Sequence, residues 1–556
     1  MVTSLFRVAV LMAWFLYAGS VFAADGTCPS GANYLNSTGQ PDTLVSLGVA
    51  NCYYIAADGS DSNDGLSEAS GHPWAHLPGM STCTSNCAAL APTAGMGFIF
   101  RGGDTWTGAN FGINWQWGGT SGSPIYIGVD PTWYSGSAWA RPIWTCGGVV
   151  CSGATASYFW NASGAYVILD NIELTGLFES PTVSPAFFCA SGLNQIYENL
   201  YMHGWSHYTG ITTTAARGFG CVNNGGWTLR YTVWDGSDTS KDMLVVTQSG
   251  APVAYGNVLR YVQTALDGCG NEWHDNLVEY LAPSVSSGGA HQDAYQHLGA
   301  CAGSTYLIYN NIFRHTTWAG ATGVGHFWFN GLANCGAIGS PLTNCIGYAF
   351  NNVMYDVAPG NQVNMGGHFG VNYGTIYFFN NTIQCGSDSS LGDCDLGDNG
   401  NSQGGKASGG TMAVNVINNH WIAEDHTSVF CCSGPAGKGS RGSCYSFTCR
   451  ETTALYQTVK TAKKKGYNHA GTYAFQPASS NSSTVGAGAS LNSLCAAISA
   501  IDADAGAACK KDTSYACTYN ATNHTVSCPA RTAVARPTAV WDVGAYQFSS
   551  TQDSRE

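Results

Sequence analysis

The sequence of 556 residues predicts an all-β chain folded as a parallel β-helix, a β-solenoid in which short strands stack coil upon coil. The first supporting observation is a repeat of an aromatic or aliphatic residue, a polar residue, an asparagine and then apolar residues. It reads LDNIEL at 169–174, HDNLVE at 274–279 and FNNVMY at 350–355. The repeated asparagines are Asn171, Asn199, Asn257, Asn276, Asn311, Asn352, Asn381 and Asn419.

The second observation is the spacing of this repeat, which is irregular from 19 residues upward. A coil of a β-solenoid needs only to stack on its neighbours, so long loops between short strands are tolerated. The repeated segments are rich in β-branched and aromatic residues and are separated by Gly- and Ser-rich stretches, which is typical of strands. Stacked asparagine amides can hydrogen-bond from coil to coil, and we therefore expect an internal asparagine ladder.

The first 23 residues have the pattern of a secretory signal peptide, with Arg7, an apolar run and the cleavage motif Val21-Phe22-Ala23. This run is too short to favour a membrane span, and no later segment approaches about 18 apolar residues. All 22 cysteines follow it, and such a number in an exported chain predicts disulfides. Several cysteines form close sequence pairs: Cys83/Cys87, Cys146/Cys151, Cys335/Cys345, Cys385/Cys394 and Cys517/Cys528. We expect a secreted protein, extracellular or periplasmic, with no membrane span.

Charge and composition limit the partners. Charged residues make up 10% of the chain and the net charge is −13. Nucleic acid is excluded as a partner because phosphate contact needs clustered Lys and Arg. The 17 Trp and 29 Tyr residues suit neutral sugars, whose apolar faces stack on aromatic rings. A secreted β-protein with a large aromatic core is the alternative interpretation.

A second column of short strands lies between the asparagine segments, one per coil. Its members are GFGCVNN (218–224), SKDMLVV (240–246), ALDGCG (265–270), HQDAYQH (291–297), GHFWFN (325–330) and GHFGVN (367–372). If the apolar or small residue of each strand points inward, the residue before it points outward. The predicted outer column contains Asp242, Asp267, Asp293, His326 and His368.

Three aspartates on consecutive coils repel one another and raise one another's pKa, an arrangement that favours a functional site. Glycoside cleavage uses two carboxyl groups, roughly 5–5.5 Å apart in retaining enzymes and roughly 6.5–9.5 Å apart in inverting ones. We predict Asp242, Asp267 and Asp293 as catalytic, with one carboxyl protonating the glycosidic oxygen and another activating water or attacking the sugar. A turn or calcium-binding role is the structural alternative for each.

Other residues of this column are candidates for substrate contact. Tyr295 and Trp328 would stand two positions beyond the outer residues of their strands, as a sugar-stacking platform. Ordinary packing is the alternative for Trp328. Further candidates for catalysis or substrate binding are Lys241, His291, His326 and His368, although the last two follow glycines and could simply cap turns.

Three stretches resemble a known superfamily. YYIAADGSDSNDGLSEASGHPWAHL at 53–77 resembles the opening of secreted right-handed parallel β-helix proteins of the pectate lyase-like superfamily. FIFRGGDTW at 98–106 is similar to an early strand of that group, and WDVGAYQF at 541–548 is similar to its closing strand. The resemblance implies a right-handed parallel β-helix from about residue 50 to about residue 550, and it identifies architecture rather than substrate.

The resemblance also limits the chemistry. The chain lacks the Gly-His-Gly and Arg-Ile-Lys motifs of polygalacturonase-like hydrolases, and it lacks the Lys/Arg-rich cleft of pectate lyases. Lyases of this fold use a basic proton abstractor, often with calcium, and Lys241 with Arg217 keeps that alternative open. Asp61 and Asn63 in GSDSNDG are a weak calcium candidate, against a polar turn in a cap. No cofactor is required.

The sequence divides into five parts. Residues 1–23 form the signal peptide, 24–150 an N-terminal cap with the first coils, and 151–429 the central β-helix with the predicted groove. Residues 430–540 form a Cys-rich insertion or disulfide-tied C-terminal cap, and 541–556 the closing strand and tail. The predicted function is a secreted polysaccharide-degrading enzyme, a glycoside hydrolase in preference to a calcium-dependent lyase or epimerase on a uronate polymer. A non-catalytic glycan-binding adhesin is the third possibility.

Overall fold

The structure is a computed structural model, and it describes twenty-two segments of the chain. These are residues 26–149, 158–179, 186–207, 216–220, 226–237, 243–247, 253–267, 272–281, 293–296, 305–315, 324–328, 336–337, 340–341, 346–355, 361–364, 374–385, 412–423, 447–464, 467, 474–514, 517–528 and 531–550.

The described segments form three long parallel sheets that run the length of the molecule. The first sheet contains, in chain order, Asn51–Ile55, Met96–Gly102, Ile125–Tyr134, Val167–Asp170, Gln195–Glu198, Trp227–Arg230, Val253–Tyr255, Glu272–His274, Thr305–Tyr309, Ile346–Phe350, Gly374–Phe379, Met412–Ile417 and Phe447–Thr452. The second contains Thr105–Trp106, Ile143–Val149, Glu173–Glu179, Tyr201–His203, Val233–Asp235, Val258–Arg260, Leu277–Glu279, Ile312–Arg314, Val353–Tyr355, Thr382–Cys385, His420–Ala423 and Leu455–Gln457, with Ser206–His207 beside it. The third contains Ile113–Trp115, Trp160–Ala162, Ala186–Ala190, Ala216–Gly220, Met243–Thr247, Thr264–Asp267, Asp293–Gln296, Val324–Trp328 and Asn361–Asn364.

Successive strands of the chain visit the three sheets in turn, and each strand pairs in parallel with the strand one coil away. Val253–Tyr255, Val258–Arg260 and Thr264–Asp267, for example, lie in the first, second and third sheets before the chain returns to the first sheet at Glu272. The predicted parallel β-helix is therefore confirmed.

The remaining elements are small. The α-helices span Ser85–Ala89, Val459–Lys464, Asn492–Ser499 and Ala503–Cys509, and a 3-10 helix spans Gly108–Asn110. Antiparallel pairs join Ala32–Leu35 with Pro41–Thr43, Gly336–Ala337 with Ser340–Pro341, Gly488–Ala489 with Val540–Trp541, and Thr518–Asn520 with Thr525–Ser527. Within the described residues, no helix is long and apolar enough to cross a membrane.

The corner between the first and second sheets explains the sequence repeat. One residue at each corner has a left-handed backbone, and the residue after it turns its side chain into the corner. Asn, Asp and Gly tolerate the left-handed conformation best. The left-handed residues are Asn171, Asn199, Tyr231, Gly256, Asp275, Asn310, Asn351, Asn380, Asn418 and Thr453.

The predicted asparagine ladder occupies the inner position of this corner on six coils. Five of the six side-chain amides donate to the Oδ1 of the asparagine on the next coil, over 2.9–3.0 Å. All six donate to a backbone carbonyl of the first-sheet strand one coil back. The ladder residues are Asn257, Asn276, Asn311, Asn352, Asn381 and Asn419, and all are buried. Because the five amides from Asn257 to Asn381 use both donors and the acceptor, the polar side-chain groups at these ladder positions are satisfied without water.

The prediction that the first two asparagines of the repeat belong to the ladder was wrong. Asn171 and Asn199 are the left-handed residues of their corners, with φ of 58° and 51°, and are not ladder members. Ile172 and Leu200 take the inner position there, and both are buried. Thr232 begins the polar series, because its backbone N–H donates to Asn257 Oδ1.

The terminal segments cover the outside of the first and second sheets. Tyr34 and Leu44, from the N-terminal segment, pack on the outer face of the early first-sheet strands. Ile498 and Ala505, from the two C-terminal helices, pack on the later strands of that sheet. Tyr546 and its neighbours cover the row of aliphatic residues that follows the corner in the second sheet: Val233, Val258, Leu277, Ile312 and Val353.

The C-terminal segment differs from the prediction of a closing strand at 541–548. Val540–Trp541 pairs antiparallel with Gly488–Ala489 and lies outside the three long sheets. Trp541 instead packs with the first-sheet aromatic residues, and the backbone N–H of Gly544 donates to Asn418 O. The segment is therefore a strap along the outside of the corner rather than a final coil.

Disulfides are present at both ends, as predicted from the cysteine count. Cys83–Cys87 and Cys517–Cys528 match two predicted sequence pairs. Cys28–Cys52 and Cys495–Cys509 tie the N-terminal segment and the helical pair. None of the cysteines in the described part of the chain is free.

Candidate functional site

The predicted second column of strands is the third sheet. Its segments at 218–224, 240–246, 265–270, 291–297 and 325–330 overlap five consecutive paired strands, from Ala216–Gly220 to Val324–Trp328. The sixth member is different: Asn361–Asn364 pairs with Val324–Trp328, and the predicted segment GHFGVN lies outside the described residues. Sequence reasoning therefore found five central strands of the sheet and missed its first three strands and its last one.

An apolar line fixes the interior face of this sheet. The pairing register aligns one residue from each of nine strands, and those whose burial is described are at most 2% exposed. The line consists of Ile113, Trp160, Phe188, Phe219, Val246, Leu266, Tyr295, Phe327 and Val363. Phe188 stacks on Phe219 with ring centroids 4.9 Å apart, as interior aromatic residues do.

The residue after each member of this line forms a second line, which we call the outer line. Its first member, Asn114, is exposed, and Asn161 donates its side-chain amide to Asn114 Oδ1 at 3.0 Å. Strand alternation would put this line on the surface of the sheet. Of the members whose side chains are described, Asn114 is exposed, Asn161 partly exposed and Cys189 buried. In chain order the outer line reads Asn114, Asn161, Cys189, Gly220, Thr247, Asp267, Gln296, Trp328 and Asn364.

Four consecutive members of the outer line carry side chains suited to a sugar. Asp267 pairs with Gln296, Gln296 with Trp328, and Trp328 with Asn364. Neighbouring coils are about 4.8 Å apart, so these four backbone positions span about 14 Å. Sequence reasoning found Asp267 and Trp328 but missed Gln296 and Asn364. The signal that could have found them is the apolar residue directly before each.

The predicted alignment of the three aspartates is wrong in register. Asp293 pairs with Thr264, whereas Asp267 pairs with Gln296. Asp267 and Asp293 are thus offset by three residues on neighbouring coils. At about 3.3 Å per residue and about 4.8 Å between coils, their Cα atoms lie about 11 Å apart rather than stacked. Asp242 lies outside the described residues, directly before Met243–Thr247.

Tyr295 is not a surface platform, which corrects the prediction. It is fully buried, and its ring meets the ring of Trp273 edge-on, with centroids 4.6 Å apart. Burial raises the pKa of the Tyr295 hydroxyl well above its usual value. The physical reason is the register: Tyr295 pairs with Leu266 and Phe327 of the apolar line and is buried together with Ala294.

The remaining predicted residues of the third sheet are distributed as follows. Trp328 lies on the outer line, two coils from Asp267. His326 lies in Val324–Trp328, at an irregularity in the pairing with the next strand. Lys241, His291 and His368 lie outside the described residues.

Asp61 and Asn63 have structural contacts rather than the open oxygens that calcium would need. Asp61 Oδ1 accepts from the backbone N–H groups of Ala75 and His76, both at 3.1 Å. Its Oδ2 accepts from the backbone N–H of Thr84 at 2.9 Å and lies 2.8 Å from His76 Nδ1. The Asn63 amide donates to Pro73 O at 2.9 Å. These bonds are those of the polar turn that the sequence offers as the alternative to calcium, and they tie the N-terminal loop together.

Comparison with known proteins finds similarity in chain path alone. No protein-family model matches the chain, and no curated protein matches it. Among solved structures, it is similar to pectate lyase Pel9A at 13% identity, with a TM-score of 0.41 and coverage of 90% of this chain and 98% of that one. A rhamnogalacturonan lyase is 14% identical, with a TM-score of 0.39 and coverage of 72% and 87%. A GH136 lacto-N-biosidase from Eubacterium ramulus is 12% identical, with a TM-score of 0.34 and coverage of 73% and 68%. At these values the similarity does not extend to a substrate or a reaction.

Proposed function

We propose that this protein is a secreted enzyme that degrades a polysaccharide bound along the outer line of the third sheet. The observation that carries the proposal is the register of Asp267, Gln296, Trp328 and Asn364 on four consecutive coils. Carboxylate and amide groups hydrogen-bond sugar hydroxyls, and a tryptophan offers an apolar ring for a sugar face. The disulfides support an exported location.

The position of the site is supported by what covers the other two sheets. The C-terminal residues that pack on the β-helix, among them Ile498 and Tyr546, contact the first and second sheets. The outer line begins with the exposed Asn114 and continues on the third sheet. A long polymer needs an open path across several coils, and this line extends over about 38 Å at about 4.8 Å per coil.

The reaction we propose is glycoside hydrolysis, with Asp267 as one of two carboxyl groups. It would protonate the glycosidic oxygen or activate a water molecule. The offset between Asp267 and Asp293 removes the stacked spacing of roughly 5 Å that a retaining pair needs. An inverting pair, roughly 6.5–9.5 Å apart, is therefore the form of the hydrolase proposal, with Asp242, which lies outside the described residues, as the second carboxyl. Asp293 shares the alternation of the interior Tyr295 and is not the partner of Asp267.

The test is a polysaccharide panel with matched variants. Purified oxidised protein is incubated with neutral and uronate polymers, with and without EDTA, and both new reducing ends and ultraviolet absorbance are read. Asp267→Asn is compared with Asp64→Asn, an exposed aspartate whose described contacts are with His72 and the backbone N–H of Leu66. New reducing ends without absorbance, lost in Asp267→Asn and kept in Asp64→Asn, are the expected result. Full activity in Asp267→Asn would remove this residue from the site.

A calcium-dependent lyase or epimerase is the second candidate, with Lys241 and Arg217 as its basic residues. Lys241 lies outside the described residues, and Arg217 lies in the third sheet, where its backbone pairs with Leu244. A basic residue on this sheet is what a lyase would use to abstract a proton. Ultraviolet absorbance that EDTA removes would favour this candidate, and binding without any product would favour a glycan-binding adhesin.

A further inference from the structure

Three aromatic rings stack along the corner between the second and third sheets, and no part of the proposed mechanism uses them. The rings of Tyr261 and Tyr280 are parallel within 7°, with centroids 5.1 Å apart. The ring of His315 continues the stack at 5.1 Å from Tyr280 and 15°. All three side chains are partly exposed. We call these residues the corner stack.

The backbone of the corner stack is strained. Its three residues have φ of 51°, 53° and 51°, a left-handed conformation that costs a bulky residue of order 1–3 kcal/mol. Two coils before Tyr261, the same corner position holds Gly204, which adopts φ of 60° without that cost. The chain therefore accepts strain on three coils where glycine would avoid it, which is the mark of a position kept for its side chain.

The corner stack lies on the same three coils as the central part of the outer line. Tyr261 precedes Thr264–Asp267 on one coil. Tyr280 follows Leu277–Glu279 and lies on the coil of Gln296, and His315 follows Ile312–Arg314 on the coil of Trp328. The corner at which each coil enters the third sheet therefore forms a flank of the proposed substrate path.

The charges behind the corner stack cancel. Asp235, Arg260, Glu279 and Arg314 occupy the preceding position on four consecutive coils. Arg260 Nε lies 3.8 Å from Asp235 Oδ2 and 3.6 Å from Glu279 Oε1, and Arg314 Nε lies 2.8 Å from Glu279 Oε2. Behind the three rings themselves, Arg260, Glu279 and Arg314 leave one positive charge, and Asp235 on the preceding coil cancels it. A uronate polymer would therefore gain little from this flank.

The stacking decides which atoms face the substrate. Both faces of the Tyr280 ring are covered by its neighbours in the stack, so the ring presents its edge and its hydroxyl. The guanidinium of Arg260 lies 5.1 Å and 5.3 Å from the ring centroids of Tyr261 and Tyr280, which further holds the rings in place. The result is a row of ring edges and polar tips whose ring centroids are about 5 Å apart, suited to hydroxyl groups rather than to a sugar face. The Tyr261 hydroxyl is also hydrogen-bonded to Arg260.

We propose that Tyr261, Tyr280 and His315 form one wall of the substrate groove and bind the hydroxyl groups of a neutral polysaccharide. This inference rests on the proposed function and names its substrate class. The wall positions the polymer while the outer line contacts it from the sheet. None of the three residues takes part in bond cleavage.

The test replaces Tyr280 by glycine. Tyr280→Gly removes the ring and its hydroxyl while relieving the left-handed backbone. Tyr166→Gly is the matched control, because Tyr166 is also partly exposed and left-handed, with φ of 53°, at the corner before Val167–Asp170. Affinity electrophoresis of the full-length proteins with a neutral β-glucan, an arabinoxylan and polygalacturonate gives the dissociation constants, and initial rates give KM and kcat.

We expect Tyr280→Gly to weaken binding of a neutral polymer about fivefold, the effect of losing about one hydrogen bond. KM should rise by the same factor while kcat is unchanged, and Tyr166→Gly should bind as the wild type does. Equal binding by the two variants, stronger binding of polygalacturonate than of the neutral polymers, or no binding to any polymer would overturn the inference. Failure of the proposed function has a different signature, since it leaves the binding difference in place without any product.

Discussion

Removing one rung of the asparagine ladder perturbs the fold at a place where every lost contact can be counted. Asn311 is fully buried. Its side-chain Nδ2 donates to Trp273 O at 2.9 Å and to Asn352 Oδ1 at 3.0 Å. Its Oδ1 accepts from the backbone N–H and the side-chain amide of Asn276, at 3.1 Å and 3.0 Å. Asn311→Ala deletes all four bonds.

The cost follows from the groups left without a partner. The substitution leaves three groups without these partners: the backbone N–H of Asn276, one of its side-chain amide hydrogens and the Trp273 carbonyl. Asn352 Oδ1 keeps the backbone N–H of residue 311. A buried polar group without its partner costs about 1–3 kcal/mol, so three such groups near the lower end predict a loss of about 3–5 kcal/mol in the free energy of unfolding.

Urea unfolding of the oxidised protein, followed by tryptophan fluorescence, measures this loss. The control is Asn310→Gly, the neighbouring asparagine, whose left-handed backbone suits glycine and whose amide donates to Ser514 Oγ at 2.9 Å. The control should lose about 1 kcal/mol or less, since it gives up one partly exposed hydrogen bond. A loss in Asn311→Ala no larger than in the control would refute the account of the ladder as a cooperative hydrogen-bond network.

Two further predictions concern the ends of the chain. Burial, and then the charge of Asp130 and a hydrogen bond with it, raises the pKa of Glu68 from 4.5 to about 7. The folded protein thus keeps a proton that the unfolded chain has released, and stability falls as the pH rises through that window. Glu68→Gln should remove this fall in stability, which melting temperatures at about pH 4.5 and pH 7 will measure. An unchanged pH dependence would argue against the raised pKa of Glu68. Replacing Cys517 and Cys528 together by serine opens a loop with a sequence separation of 11 residues, which should cost about 3 kcal/mol. Limited proteolysis should then cut the hairpin between the two positions first, and cleavage elsewhere would show that the disulfide does not hold it.

The fold was predictable because two kinds of residue recur from coil to coil. Asparagines mark the first corner, and β-branched and aromatic residues mark the strands that follow. Asn171 and Asn199 were misassigned because asparagine suits both positions of that corner. Its amide can join a ladder, and its backbone tolerates the left-handed conformation that these two residues adopt.

The register of the third sheet could not be predicted because its strands do not alternate clearly. Ala294 and Tyr295 are consecutive, and both are fully buried. An alignment that takes Ala294 as the interior residue places both Asp293 and Tyr295 on the outer face. Pairing with Leu266 and Phe327 makes Tyr295 interior and gives Gln296 the outer position. Strands of four or five residues carry too few side chains to decide between these registers.

The C-terminal strap was not predictable for a different reason. Its contacts with the β-helix join residues far apart in sequence, such as the Arg536 guanidinium, which donates to Asn351 Oδ1 at 3.0 Å. Neither residue carries a local pattern that points to the other. The predicted cysteine pair at 517 and 528 indicated a disulfide-tied segment but not the surface on which it packs.

The most direct test of the central claim is a crystal structure of the Asp267→Asn protein with an oligosaccharide from a polymer that the wild-type protein binds. The account predicts sugar density along the outer line, in contact with Gln296 and Trp328, and beside the corner stack. Density on the first or second sheet, or at the C-terminal strap, would contradict the placement of the site on the third sheet.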